Sequence, residues 1–251
     1  KDLKKEVTAV IITSDKCYDN LELKRGYNEK DLLGGKDIYS GSKGAAELII
    51  KSFYNSFFKD HKYESTIVSA RAGNVIGGGD WGKDRIVPDA VASWNKNEKL
   101  SIRNPLSTRP WQHVLEPISG YLTLASKLYL DKNLNGENFN FGPDETSNKT
   151  VKDLIDRLSE RWGFEEKKDS YSIKHKEDFH EAGLLQLDCT KANNVLDWKP
   201  NLTFDQMINL SADWYKEFYN TNDIEGMVLT TENQIENYIN FAKEKNYSWT
   251  S

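Results

Sequence analysis

The first regular pattern is a continuous apolar, β-branched run, Val7-Thr8-Ala9-Val10-Ile11-Ile12-Thr13. A run this short, without alternation, predicts a strand over 7–13 buried on both faces of a parallel sheet. From Ser40 onward, Ala45, Ala46, Leu48, Ile49, Ile50 and Phe53 recur at helical spacing, which predicts a helix over about 40–59. The stretch Ser65-Thr66-Ile67-Val68-Ser69 then reads as a second strand, so the order strand, helix, strand continues a parallel sheet. A long loop, Asp19 to Asp37, joins the first strand to the helix.

Farther along, the pattern predicts helices over 85–94 and about 116–130, a short strand near 100–103, and an alternating strand over 137–142. Thr150 is the expected N-cap of an amphipathic helix over 151–162, with Asp153 three residues later to complete a capping box. The charged segment 165–178 reads as a solvated loop or an exposed hairpin edge. Residues 190–196 read as a short helix, Trp198-Lys199-Pro200 as a stop, and 203–219 as a longer terminal helix. The run Gly77-Gly78-Gly79 before Asp80 lacks the Gly-Lys-Ser/Thr that ends a phosphate loop, so it reads as a permissive turn.

Composition narrows the classes. The chain has 251 residues, 34 basic and 39 acidic side chains and a formal net charge of −5, a balance that points to neither nucleic acid nor an anionic membrane as partner. Cys17 and Cys189 are too few and too isolated for a disulfide framework. His61, His113, His175 and His180 have no metal-ligand spacing with them, so no metal is expected. With no signal peptide and no run of eighteen apolar residues, the expected location is the reducing cytoplasm.

The candidate chemistry lies at the end of the first strand and the start of the first helix. Ser14-Asp15-Lys16 follow the 7–13 run, at the carboxyl edge where open α/β sheets bind ligands. Tyr39 and Lys43 are four residues apart and share one helix face. A phenol, with a reference pKa of ~10, is a poor base at neutral pH, and an ammonium a few Å away favours its phenolate. In a lysine-rich chain with twelve tyrosines one such pair is also expected by chance, so its weight comes from the neighbouring Ser14.

Ser14, Tyr39 and Lys43 together resemble the catalytic set of the short-chain dehydrogenase/reductase superfamily, in its extended, sugar-nucleotide-modifying (NAD-dependent epimerase/dehydratase) branch. Longer words sharpen the likeness: Thr13-Ser14-Asp15-Lys16-Cys17-Tyr18, Arg71-Ala72-Gly73-Asn74-Val75-Ile76-Gly77-Gly78-Gly79-Asp80-Trp81, Ile102-Arg103-Asn104-Pro105, Arg109-Pro110-Trp111-Gln112-His113-Val114-Leu115-Glu116-Pro117 and His180-Glu181-Ala182. In order, they resemble the CDP-glucose 4,6-dehydratases from about residue 7 to at least Tyr219. The glycine-rich strand–turn–helix that holds a dinucleotide pyrophosphate in this superfamily has no counterpart near Lys1. The expectation is a C-terminal portion lacking roughly the first four strands, on the order of 100 residues at ~30 per βα unit.

The resemblance implies an incomplete Rossmann-like α/β fold, a parallel sheet with helices on both faces plus a small α/β substrate-binding lobe. Residues 1–75 would be the C-terminal half of the NAD-binding domain, and 76–251 mainly the sugar-nucleotide lobe with segments returning to the first. It implies a lyase that converts CDP-glucose to CDP-4-keto-6-deoxyglucose by internal hydride transfer to and from NAD, in deoxysugar biosynthesis. Tyr39 would take the C4 hydroxyl proton, Lys43 would assist it and hold the nicotinamide ribose, and Ser14 would hydrogen-bond the developing carbonyl. Asp15, kept protonated by burial, would donate to the departing C6 hydroxyl. Lys16 stands where dTDP-glucose relatives carry a glutamate base; it is either the C5 base or a partner that orients Asp15. Arg109 falls where the extended family contacts phosphate, with Arg103, Asn74 and Arg85 as further substrate candidates. Arg71 reads better as a structural pair, and Trp81 and Trp111 either stack on the base or pack the lobe. The complete protein is expected to be a homodimer that buries Phe53, Phe57 and Phe58. The alternatives are a non-catalytic sugar-nucleotide-binding fragment, or another extended-family dehydratase or epimerase.

Overall fold

A computed structural model describes residues 6–59, 65–144, 149–174, 184–221 and 223–250. The chain begins β1 (Thr8–Ile12), α1 (Ile38–Phe53), β2 (Thr66–Ala72), β3 (Val75–Ile76), α2 (Ile86–Asn95) and β4 (Leu100–Ile102). It continues β5 (Thr108–Arg109), β6 (Gln112–His113), α3 (Leu115–Leu130), β7 (Asn138–Phe141), β8 (Lys149–Thr150) and α4 (Val151–Trp162). Last come α5 (Lys167–Ser170), β9 (Tyr171–Ile173), α6 (Phe204–Thr221) and α7 (Ile224–Glu244).

Two compact units result. The first comprises Lys1–Gly73, Glu116–Thr146 and Leu185–Pro200; the second comprises Asn74–Leu115, Ser147–Leu184 and Asn201–Ser251. The first unit is built on a parallel sheet of order β1-β2-β7, in register from Thr8 opposite Thr66 to Ile12 opposite Ala70, and from Ser69 opposite Asn138 to Ala72 opposite Phe141. β2 is the central strand, and its alternation sends two sets of side chains to opposite faces. Val68, Ala70 and Ala72 pack with Leu124 and Leu128 of α3, whereas Ser69 and Arg71 reach Glu47 of α1. The sheet therefore carries helices on both faces.

On the α3 face, Phe141 meets Trp198 edge-on, with ring centroids 4.9 Å apart at 84°, a geometry that contributes about 0.5–1.5 kcal/mol beyond area burial. Gly120 of α3 is required there, since a Cβ would come within 2.3 Å of the Phe141 ring. The strand β1 departs from the expected two-faced burial. Its only described neighbour is β2, and Ile11 and Ile12 are 37% and 58% exposed. An apolar strand is buried by what stands beside it, and among the described residues one side of β1 has no neighbour.

The second unit has its own core, in which Val87, Val91 and Trp94 of α2, Leu154, Ile155 and Leu158 of α4, and Met207, Ile208 and Tyr215 of α6 are buried together. α4 starts as expected: Thr150 caps Asp153 N–H, and the Asp153 side chain returns the bond to Thr150 N–H. The charged segment departs from expectation. It forms α5 and the strand β9, which pairs in parallel with β4. Two long-range bonds hold it: Trp94 Nε1 donates to the Ser170 carbonyl at 2.7 Å, and Tyr171 Oη donates to Asp156 at 2.9 Å. The helix α7, beyond the elements read from the sequence, begins at Asp223, whose carboxylate accepts from the Glu225 and Gly226 N–H groups.

Candidate active site

At the carboxyl end of β1 the chain makes a single 3₁₀ turn over Asp15–Cys17, capped by Ser14. The Ser14 hydroxyl accepts from Lys16 N–H at 3.2 Å and donates to Asp15 Oδ1 at 2.9 Å. Asp15 is buried, and Gly73 at the end of β2 makes room for it: a Cβ there would lie 2.1 Å from the Asp15 carboxylate. The turn thus holds three polar residues at the edge where a parallel sheet presents ligand sites.

α1 packs onto this turn. Its N-cap, Asp37, accepts from Ser40 N–H at 2.9 Å and Ser40 Oγ at 2.6 Å. Those Ser40 bonds hold the Asp37 carboxyl below the usual carboxylate range, with a smaller contribution from the Lys16 charge. Gly44 allows close approach: a Cβ would meet the Gly34 carbonyl at 3.1 Å and the Cys17 carbonyl at 3.3 Å. Because Gly44 follows Lys43 and Cys17 follows Lys16, the contact brings the two lysine-bearing elements together. Tyr39 is 57% exposed, and Lys43 Nζ lies 5.5 Å from its ring centroid. Ser14, Asp15, Lys16, Tyr39 and Lys43 all belong to the first unit.

Burial disfavours ionisation of both cysteines and of several tyrosines. Burial pushes the Cys17 thiol up to about 12 and raises Cys189 as well. Burial likewise raises the phenols of Tyr18 and Tyr215, and pushes Tyr121 up to about 12. Among the described residues no group of three His, Cys, Asp or Glu could hold a metal ion, and no helix is long and apolar enough to cross a membrane.

Asn74, Arg85, Arg103 and Arg109 fall in the second unit. Asn74 sits in left-handed backbone at φ 48°, and its carbonyl accepts from Gln112 N–H at 3.3 Å. Arg85 pairs with Asp80 at 2.8 Å, Arg103 approaches Asp84 at 3.8 Å, and Arg109 on β5 donates to the Thr108 carbonyl at 2.9 Å. Trp111 is buried in the core of this unit, while Trp81, half exposed, joins a cluster with Trp214, Tyr215, Phe218 and Tyr219. The triple glycine serves packing: a Cβ on Gly78 would lie 2.0 Å from the Trp214 ring, and Gly79 has φ +80°. The word His180-Glu181-Ala182 lies outside the described residues.

Arg71 is a structural pair, 1% exposed, with Nη2 at 2.7 Å from Glu47. Sequence reading missed Glu47 and Gly73. The available signals were an acidic residue one turn beyond Lys43 inside an apolar stretch, and a glycine directly after a strand.

A sequence model of the family described as GDP-mannose 4,6 dehydratase matches residues 1–210. The chain is 44% identical over 237 residues to the CDP-glucose 4,6-dehydratase of Salmonella typhimurium, covering 93% of this chain and 64% of that protein. It is 24% identical to the dTDP-glucose 4,6-dehydratase of Haemophilus influenzae, over 81% of this chain and 59% of that protein. Among solved structures, dTDP-glucose 4,6-dehydratase from Bacillus anthracis in complex with NAD aligns with a TM-score of 0.69 at 24% identity, over 87% of this chain and 64% of that one. UDP-glucuronic acid 4-epimerase from Bacillus cereus, in complex with UDP-glucuronic acid and NAD, aligns with a TM-score of 0.70 at 19% identity, over 84% and 62%. The chain therefore spans a little under two thirds of the length of these relatives. With a family match over 1–210 and a relative 44% identical over 93% of its length, the chain belongs to the family described as GDP-mannose 4,6 dehydratase.

Proposed function

We propose that this chain carries the catalytic residues of an NAD-dependent CDP-glucose 4,6-dehydratase, which forms CDP-4-keto-6-deoxyglucose in deoxysugar biosynthesis. The observation that carries the reading is the packing of the Ser14–Asp15–Lys16 turn against α1 at Gly44, in the helix that bears Tyr39 and Lys43, in a chain 44% identical to a CDP-glucose 4,6-dehydratase over 93% of its length. Within this chain, Tyr39 and Lys43 suit the nicotinamide-ribose end of NAD: an accessible phenol with an ammonium beside it. When bound, NAD supplies an acceptor for the C4 hydride and a donor of hydride to C6.

The residues then divide the proton work. Tyr39, as the phenolate that the neighbouring Lys43 ammonium favours, takes the C4 hydroxyl proton and becomes the neutral phenol, while the Ser14 hydroxyl turns from Asp15 to donate to the oxygen that becomes the carbonyl. The C4 ketone makes the C5 proton acidic. Lys16, on the same turn, is the candidate base for it. Asp15, next to Ser14 in the same turn, gives its proton to the departing C6 hydroxyl, which leaves as water. Arg109 is the proposed diphosphate contact, since a guanidinium grips phosphate oxygens in pairs, with Arg103, Arg85 and Asn74 as further substrate candidates.

The reading includes a cytoplasmic location and a homodimer through α1 and the turn after it: Leu48, Ile49 and Phe53 of α1 and Phe57 just beyond it are each about half exposed, and Phe58 is partly buried. Sedimentation of the natural protein as monomer alone would refute the dimer. The activity is tested by incubating the natural protein that carries this chain with CDP-glucose and NAD and following the alkaline absorbance of a 4-keto-6-deoxy sugar. Product that disappears in Tyr39→Phe is expected. Turnover of another nucleotide sugar would overturn the substrate, and binding of CDP-glucose without turnover would favour a non-catalytic module.

A further inference from the structure

A buried ion pair stands behind the exposed catalytic face. Glu47 and Arg71 are 4% and 1% exposed, and Arg71 Nη2 donates to Glu47 Oε2 at 2.7 Å. Glu47 lies on α1 four residues after Lys43 and eight after Tyr39, on the same stripe, about 6 and 12 Å along the axis at the usual helical rise. Its carboxylate also accepts from the hydroxyl of Thr13, the residue before Ser14, and from Ser69 Oγ at 2.9 Å. One side chain thus ties the helix bearing Tyr39 and Lys43 to the strand end bearing Ser14 and Asp15, and to the central strand.

The chain of bonds runs on from Arg71. Its Nη1 donates to Tyr18 Oη at 2.8 Å, and Tyr18 donates to Asn140 Oδ1 at 2.8 Å. Asn140 Nδ2 donates in turn to the carbonyls of Tyr27 at 2.8 Å and Asp188 at 3.1 Å. Tyr27 Oη accepts from Leu21 N–H at 2.7 Å, inside the loop that leads to Tyr39. Both approaches to Tyr39, the helix behind it and the loop before it, end on the same guanidinium. Burial opposes ionisation of both partners, but their mutual hydrogen bond and opposite charge outweigh it, leaving Glu47 below the usual carboxylate range and Arg71 above its ordinary value.

A buried ion pair contributes little more stability than an apolar pair of the same volume, because desolvation offsets the Coulomb gain. What an apolar pair cannot supply is direction. We propose that Glu47 and Arg71 are positioning residues that set the register of Tyr39 and Lys43 against Ser14 and Asp15, with no contact to substrate. The inference rests on the dehydratase reading for its kinetic arm only.

The test replaces the pair by apolar side chains of similar length, Glu47→Met with Arg71→Met, in the natural protein, beside Glu47→Gln alone. Expected for the folded double variant is a kcat lower by about 10²-fold, as for a displacement near 1 Å, with a KM for CDP-glucose within about threefold of wild type and faster amide exchange in the first turns of α1. Wild-type kcat in the folded double variant would overturn the proposal. If the wild type itself does not turn over CDP-glucose, the dehydratase reading fails, and amide exchange alone decides: unchanged protection of α1 in the double variant overturns the positioning role, and its loss supports it. Should Glu47→Gln fail to fold, the double variant carries both measurements.

Discussion

His113 on β6 offers a quantitative test of how this fold responds to acid. The ring is 2% exposed, and its Nδ1 accepts from Leu115 N–H at 3.3 Å, which puts the proton of the neutral ring on Nε2. Burial lowers its pKa from 6.5 to about 4. Between these values the unfolded chain binds a proton that the folded chain refuses, so stability falls as pH falls through 6.5 and the loss saturates below about 4. At 1.36 kcal/mol per unit the loss is about 1.4 kcal/mol near pH 5.5 and about 3 kcal/mol near pH 4. The variant His113→Asn keeps an acceptor for Leu115 and does not titrate. Urea unfolding of wild type and variant across pH 7 to about 4 isolates the histidine, because every other titrating group is common to both. The wild type should lose about 3 kcal/mol more than the variant over that range. Parallel stability curves would refute the assignment of a neutral, buried imidazole.

Two further perturbations probe the turn and a cap. Gly73→Ala puts a Cβ 2.1 Å from the Asp15 carboxylate, so Asp15 must move by about 1 Å or more; kcat with CDP-glucose should fall about 10²-fold, and a wild-type kcat would show that the carboxylate position is irrelevant. Thr150→Ala removes the two bonds of the Thr150 hydroxyl to Asp153 at the start of α4, leaving the one from its backbone N–H, and should cost about 1 kcal/mol in urea unfolding, with no change in the Tyr39-dependent activity.

Elements whose cause is local were visible in the chain before any folding. Thr150 and Asp153 cap α4 because the partners are three residues apart, and Tyr39 and Lys43 share a face because four residues make about one helical turn. Burial is different in kind, since it depends on what arrives from elsewhere. The run ending in Ile12 has the composition of a fully covered strand, yet Ile12 is 58% exposed because only β2 lies beside it among the described residues. The charged segment before Lys174 has the composition of a solvated loop, yet Trp94 from α2 and Asp156 from α4 pin it as α5 and β9. The helix α7 buries Gln234 beside Tyr238, with the amide donating to the Leu210 carbonyl, so a polar residue interrupts the stripe that marks a buried helix face.

Glu47 and Arg71 follow the same logic to its functional end. In a window of sequence, Arg71 at the end of β2 reads as half of a structural pair, but its partner is not legible, because an acidic residue inside α1 looks like a surface charge when desolvation makes a lone buried charge costly. Only the parallel register that sets Ile11 opposite Ser69, with α1 over that face, brings carboxylate and guanidinium to 2.7 Å and adds the hydroxyls of Thr13 and Ser69. The residues that would meet substrate are thus legible as short words, while the pair that holds those words in register is defined by strand order. A change that leaves every word intact but removes the pair should therefore damage turnover without touching a recognisable motif.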